Sequence, residues 1–239
     1  MSLSEKIKLY QCQSDRCSYL ADQEQTFVVI DPEIPLTNSL YTALLASGFR
    51  RSGDTAYIPH CRACQACIPI RVPVHAFKPS RSQRRNMKLN NAVQIKPHPA
   101  KFSNEHYALY CKYQHHRHPD SSMCSTTPED YLNFLTTPKI DTVFFEFRTE
   151  SQLLAVAVTD VLEDALSAVY TYYDPDHEHR GLGTFAILWQ IEHALSLKIP
   201  WVYLGFWIEH CQKMTYKTRF QPCEGFENGT WRPITPREA

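Results

Sequence analysis

The chain opens its first clear apolar pattern at Thr26–Asp31, a Thr-Phe-Val-Val-Ile-Asp run closed by Pro32 and Pro35, which predicts a strand. From Asn38 to Ser47 the period lengthens: Leu40, Leu44 and Leu45 share one helical face, and Gly48 supplies a stop. Ala56–Pro59 and Cys67–Val74 read as extended. Ser80 or Ser82 can cap a polar helix beginning near Ser82. Ser103 caps a further helix carrying Tyr107, Tyr110, Cys111 and Gln114 to about His118. Thr127-Pro128-Glu129-Asp130 joins a capping hydroxyl, a proline at the first helical position and two acids at the positive end of the dipole.

The second half changes period. Ile140–Arg148, Leu153–Val161 and Leu166–Tyr173 are three strand-like runs joined by short polar turns, which predicts an antiparallel meander. A polar loop is expected over Asp174–Arg180. A helix follows from Gly181 to Leu197, with Phe185, Leu188, Trp189, Glu192 and Leu195 at helical spacing. Pro200 ends it, Trp201–Phe206 is the next strand, and a short helix is expected around His210–Lys217. A division is expected near Asn104, giving an N-terminal domain over 1–103 and a second over 104–239.

Charge alters the picture. The 239-residue chain holds 25 Lys+Arg and 25 Asp+Glu, which excludes a globally basic protein but leaves local segregation open. Between Thr55 and Asn104 there is no acid at all, whereas nine bases fall in the same window. The densest part is Lys78–Lys88, with Lys78, Arg81, Arg84, Arg85 and Lys88. Such a cluster either neutralises a polyanion, releasing counterions, or is a solvated face; the long acid-free window favours the polyanion. No apolar run approaches the ~20 residues that span a bilayer, and the N-terminus lacks an apolar signal, so a cytoplasmic protein is expected.

Nine cysteines without a signal argue for free thiols rather than a disulfide framework. Cys61, Cys64 and Cys67 are evenly spaced, as thiolates facing one ion would be, with Cys17, Cys12 or His60 as a fourth ligand. The alternative is a tight turn packed by small side chains.

Meander, loop, Gly-x-Gly, helix and strand together resemble the core order of N-acetyltransferase-like (GNAT-like) acyltransferases. In that superfamily the amides at the helix start hold the pyrophosphate of coenzyme A. Here Glu178 stands where a cation or amide is expected, and a carboxylate there repels phosphate. A longer string is more specific: Tyr170-Thr-Tyr-Tyr-Asp-Pro175, Gly181-Leu-Gly-Thr-Phe-Ala-Ile-Leu-Trp-Gln-Ile-Glu192, Tyr203-Leu-Gly-Phe-Trp-Ile208, and Lys213-Met-Thr-Tyr-Lys217 with Phe220-Gln-Pro222. With Cys64–Arg71 and Phe77–Arg85, it resembles the arginyl-tRNA–protein transferases, and within them the bacterial branch that uses leucine. The resemblance runs from about Cys12 to Glu224.

That resemblance implies an α+β chain, with a GNAT-like transferase domain (a mixed sheet flanked by helices) preceded by a smaller N-terminal α+β domain. It implies transfer of leucine from leucyl-tRNA to the α-amine of a protein beginning with Asp or Glu, creating a degradation signal. No cofactor is required for an already activated ester. The eukaryotic members carry a Cys-x-x-Cys near the N-terminus reported in an iron–sulfur or metal site; here Cys17 lacks its second cysteine, and Cys17, Cys61, Cys64 and Cys67 could supply four thiolates. No membrane or DNA partner is implied.

The chemistry then asks for particular residues. Arg81, Arg84, Arg85 and Lys88 are expected on tRNA phosphates. Asp174 is expected either as proton acceptor or amine-orienting carboxylate, or else as a cap before Pro175. Tyr172 and Tyr173 alternate across a strand, so one faces a cleft and the other the core; Tyr172 is taken with Asp174 as catalytic. One of Lys213, Lys217 and Arg219, or else Arg71, is expected to pair with the acceptor carboxylate, Lys213 and Lys217 lying four apart on one helical face. Phe206, Trp207 and Met214 could surround a leucyl side chain or be plain core. The His115–His118 run is either a base or metal site or a polar helix end. Arginyl transfer, a coenzyme A-dependent N-acyltransferase, and a non-enzymatic nucleic-acid module with a metal knuckle are the competing readings.

Overall fold

The computed structural model describes residues 7–119 and 122–234. Its centre is an eight-stranded mixed sheet in the order β14-β13-β7-β12-β11-β10-β9-β8. The strands are β7 (Ile68–Pro73), β8 (Gln94–Pro99), β9 (Thr142–Arg148), β10 (Leu153–Val161), β11 (Ala165–Tyr173), β12 (Trp201–Trp207), β13 (Cys223–Glu227) and β14 (Thr230–Ile234). A four-stranded sheet packs beside it, from β1 (Leu9–Gln11), β4 (Phe27–Ile30), β6 (Thr55–Pro59) and β5 (Arg50–Ser52), in that order. A two-stranded ribbon joins β2 (Asp15–Arg16) to β3 (Glu24–Gln25).

The expected meander is there: β9, β10 and β11 pair antiparallel. Every residue of β10 from Leu153 to Asp160 is buried, because both faces of the sheet are covered. On one face lies α5 (Leu182–Ser196), whose Leu182, Phe185 and Ala186 meet Phe145, Phe147 and Ala157. Its later turns, Ile187, Leu188 and Ile191, meet Ile70, Val72 and Val202. On the other face, α3 (Asn104–Arg117) and α4 (Pro128–Leu135) bring Leu109, Tyr110, Tyr131 and Leu135 onto Phe144, Val156, Val158 and Tyr172. Next to them α1 (Asn38–Ala46) packs Tyr41, Leu44 and Leu45 between the two sheets.

Local signals explain the helix ends. Ser80 caps α2 (Arg81–Leu89), its hydroxyl accepting from Gln83 N while Gln83 returns a bond to Ser80 N. Thr127 and Asp130 form the same reciprocal pair at α4. Gly48 follows α1 at φ 86°, a conformation that costs glycine little. Ser103 stands before α3 as expected, but its side chain makes no capping bond.

Other expectations need correction. Asp174–Arg180 is not an open loop: Pro175–Arg180 forms a 3-10 turn. The helix expected around His210–Lys217 is a shorter 3-10 turn over Thr215–Arg219. Two strands that precede the expected division near Asn104, β7 and β8, belong to the large sheet, β7 lying between β12 and β13.

Candidate active site

Only three residue pairs join β11 to β12: Ala165–Trp201, Leu166–Val202 and Ser167–Tyr203, in parallel. Beyond them β12 stays with β7 as far as Trp207, with a register shift next to Gly205, while β11 runs on to Tyr173. The sheet therefore splits, and the split leaves β11 carbonyls without a strand partner. Arg50 fills the gap. Its Nη2 donates to Ala168 O at 3.0 Å and to Val169 O at 3.1 Å. Gly205, at φ 81°, makes room for it: a Cβ there would lie 1.4 Å from Arg50 Nη1.

Lys217 lies nearby, 7% exposed. Its Nζ donates to Phe206 O at 2.7 Å. Burial, then the positive charge of Arg50, push its ammonium down to about 7. Among the described residues neither Arg50 nor Lys217 takes part in an ion pair.

Beside these cations is a cavity of about 380 Å³ between the two sheets. Phe27 and Tyr57 from the small sheet and Ile68, Phe206 and Phe226 from the large one form its apolar walls. Cys17, Cys61, Cys64 and Cys67 line the same space. Burial, and then the neighbouring thiols Cys61, Cys17 and Cys64, push the Cys67 thiol up to about 12. Cys61 Sγ accepts from Thr26 N at 3.4 Å, and Cys17 Sγ from Tyr19 N at 3.5 Å. Among the described residues no three His, Cys, Asp or Glu side chains converge as metal ligands. The four thiols line one cavity.

The four expected tRNA-binding cations do come together. Arg81, Arg84, Arg85 and Lys88 are all exposed on the outer side of α2, at helical spacings of three and four, while Gln83 and Asn90 are buried beneath them. The buried side ties α2 to the rest of the site. Asn86 Nδ2 donates to Arg180 O at 2.8 Å, and Asn90 Nδ2 to the same oxygen at 2.9 Å. Gln83 Nε2 donates to Arg219 O at 3.0 Å, on the turn that carries Lys217. The basic helix therefore adjoins both the start of α5 and the Lys217 turn.

Other expected residues fall elsewhere. Tyr172 is the core member of its pair: it is fully buried, its hydroxyl 2.6 Å from that of Tyr131, and it has no surface for a substrate. Tyr173 is half-buried against Tyr113. Asp174 takes the capping alternative, accepting from Asp176 N at 3.0 Å, from Lys112 Nζ at 2.6 Å and from Gln152 Nε2 at 3.0 Å. Burial alone would raise its carboxyl; the bonds from Lys112 and Asp176 N together with the charge of Lys112 outweigh that and hold it below the usual range, a poor setting for a proton acceptor. Arg71 is already paired, with Nε 2.9 Å from Glu224 Oε2 and its guanidinium between the Trp201 and Trp231 rings. Lys213 and Lys217 do not share a helical face, because the helix there is cut to a 3-10 turn that starts after Lys213; Lys213 is exposed and Lys217 buried. His115 Nδ1 lies 2.8 Å from Cys111 O, as at a polar helix end.

Arg50 was missed by sequence reasoning. Its neighbour Arg51 has the same residue type and the opposite role, and nothing local separates them.

Comparison with known proteins now decides the lineage. A model of the arginine-tRNA-protein transferase N terminus matches residues 15–85, and one of its C terminus matches 105–227. The chain belongs to the arginine-tRNA-protein transferase family. It is accordingly an enzyme of the aminoacyl-tRNA–protein transferase class. Among its relatives, the aspartate/glutamate leucyltransferase of Alcanivorax borkumensis is 46% identical over 226 residues, 95% of this chain and 93% of that protein. That of Stutzerimonas stutzeri is 47% identical over 226 residues, 95% of this chain and 96% of its own length. Among solved structures, the C-terminal domain of a putative lysylphosphatidylglycerol synthetase from Agrobacterium fabrum matches with a TM-score of 0.51 at 12% identity. That match covers 83% of this chain and 64% of that one, a likeness of fold alone. The family's two parts meet between α2 and α3, so β7, in the N-terminal part, completes the sheet of the C-terminal part.

Proposed function

We propose that this transferase moves leucine from leucyl-tRNA to the α-amine of proteins that begin with Asp or Glu, marking them for degradation. The observation that carries the reading is the close relationship, along nearly the whole chain, to proteins named for that reaction. The site's geometry supports it. An exposed basic helix can hold the tRNA phosphates and is tied to the turn that carries Lys217, and the cavity between the sheets is large enough for a side chain. The mixed sheet flanked by helices, with its parallel strands β11 and β12 parting, suits a GNAT-like arrangement.

The chemistry needs little beyond placement. The acceptor's neutral α-amine attacks the ester carbonyl of leucyl-tRNA. A C–N bond forms, the bond to the ribose oxygen breaks, and the amine's proton ends on that oxygen. An α-amine titrates near pH ~8, so a useful fraction is neutral at pH 7. Holding ester and amine in contact supplies most of the acceleration. The absence of an apolar helix long enough to cross a membrane among the described residues agrees with a reaction in the cytoplasm, where charged tRNA is found.

The test is transfer of radiolabelled leucine from charged tRNA to an Asp-initiated peptide, run beside arginyl-tRNA. Leucine incorporation that RNase abolishes is the expected result. Incorporation of arginine in preference, or transfer from acetyl-coenzyme A that ignores RNase, would replace this reading.

A further inference from the structure

Among the described residues, buried Lys217 and half-buried Arg50 meet no carboxylate. Burying a charge is costly unless it is paired, and elsewhere this chain obeys that rule: Arg51 meets Asp160, and Arg71 meets Glu224. Arg50 and Lys217 are instead held by main-chain carbonyls, those of Ala168, Val169 and Phe206. Such oxygens orient a cation but bring no negative charge to it. The two also repel each other, since Arg50 disfavours the charged form of Lys217. Among the described residues no anion meets these two gathered positive charges.

Their position says where the anion would come from. Arg50 pairs with Tyr57 across β5 and β6, so both side chains leave the small sheet on the same side. Tyr57 lines the cavity, and so does Phe206, whose carbonyl holds Lys217. Cys67, another lining residue, is an electrostatic neighbour of Lys217, as is buried Cys211. The acids in the lining, Glu24 and Glu227, are exposed. The cation pair therefore adjoins the cavity wall, away from the outer face of α2 that suits phosphates. The leucyl ester carries an ammonium and no anion. The acceptor's first side chain does carry one.

We propose that Arg50 and Lys217 together bind the side-chain carboxylate of the acceptor's N-terminal Asp or Glu. The guanidinium presents a planar fork and the ammonium a point charge, so a carboxylate can accept from both. The inference rests on the transfer reaction proposed above and names the part of the site that selects acidic acceptors. Arg71 and Lys213 are left out of that role, the first by its ion pair with Glu224 and the second by its exposure to solvent.

The experiment uses the full chain, leucyl-tRNA and two peptides that differ only in beginning with Asp or Asn. Binding of each peptide is followed by calorimetry and leucine transfer by radiolabel, for wild type, Lys217→Met and Arg50→Gln. Both variants should weaken the Asp peptide by about ten- to a hundredfold in Kd and KM, down to the level of the Asn peptide, with the KM for leucyl-tRNA unchanged. Lys217→Met should melt no lower than wild type, since it removes an uncompensated charge. This keeps the test decisive if Arg50→Gln, which frees two carbonyls, folds poorly. Retained preference for Asp over Asn in Lys217→Met overturns the proposal. So does an equal loss on both peptides accompanied by a lower melting temperature, the mark of a structural lysine. A wild type that prefers the Asp peptide in binding, loses that preference in Lys217→Met, yet transfers no leucine, supports the pair and removes the reaction proposed for it. A wild type with neither preference nor transfer removes both.

Discussion

Arg51 and Asp160 form a two-pronged ion pair with both side chains wholly withdrawn from water, Nε to Oδ2 at 2.7 Å and Nη2 to Oδ1 at 2.6 Å. Thr142 Oγ1 adds a third bond to the same carboxylate. The pair bolts β5 of the small sheet to β10 of the large one. Removing one partner leaves the other buried and uncompensated, so Asp160→Ala should cost about 3–5 kcal/mol, read as a shift in a urea melt.

Arg84→Ala and Arg85→Ala should behave in the opposite way. Both residues are exposed on α2, so melting should change by less than about 0.5 kcal/mol. Binding of leucyl-tRNA should weaken, and the slope of log K against log salt should fall by about one for each charge lost. A filter-binding titration at several salt concentrations measures both.

Tyr172→Phe separates a catalytic hydroxyl from a structural one. The bond to Tyr131 is buried, and its loss should cost about 0.5–1.5 kcal/mol of stability. The turnover number for leucine transfer should stay near wild type, measured by single-turnover incorporation.

Acid should unfold the chain through Glu146. Burial raises its carboxyl, but Arg148 and His106 outweigh that and hold it below the usual carboxylate value. A depressed carboxyl contributes stability that is complete above its unfolded value of about 4.3 and lost as pH falls through the lower folded value. Stability should therefore decline below pH ~4, and Glu146→Gln should flatten that decline in melts across an acid pH series.

Gly205→Ala tests the split between β11 and β12. The left-handed backbone and the Arg50 guanidinium both resist a side chain there. A loss of about 1–3 kcal/mol is expected, together with an acceptor KM that moves towards that of Arg50→Gln.

How much of this was legible in the sequence depends on what each signal reports. Period and caps disclosed α1, α2, α4, α5 and the β9–β11 meander, because each buries a regular face or carries its own stop. β8 was not foreseen: Pro97 and Pro99 argue against a strand, but as the sheet's edge it tolerates them. The basic face of α2 was visible because like charges at helical spacing need no tertiary partner. Tyr172 and Tyr173 could be read as one inward and one outward residue, but not which, since that depends on the helices above them. Arg71 looked free in sequence because its partner lies 153 positions away. Arg50 is the sharpest case: its importance comes from two strands parting, which no local pattern records.

The basic helix α2 is not free to move by itself. Asn86 and Asn90 grip the peptide oxygen that precedes Gly181, and Gln83 grips the turn leading away from Lys217. Any push on α2 is passed, without a hinge, to the backbone at the start of α5 and at the turn that carries Lys217.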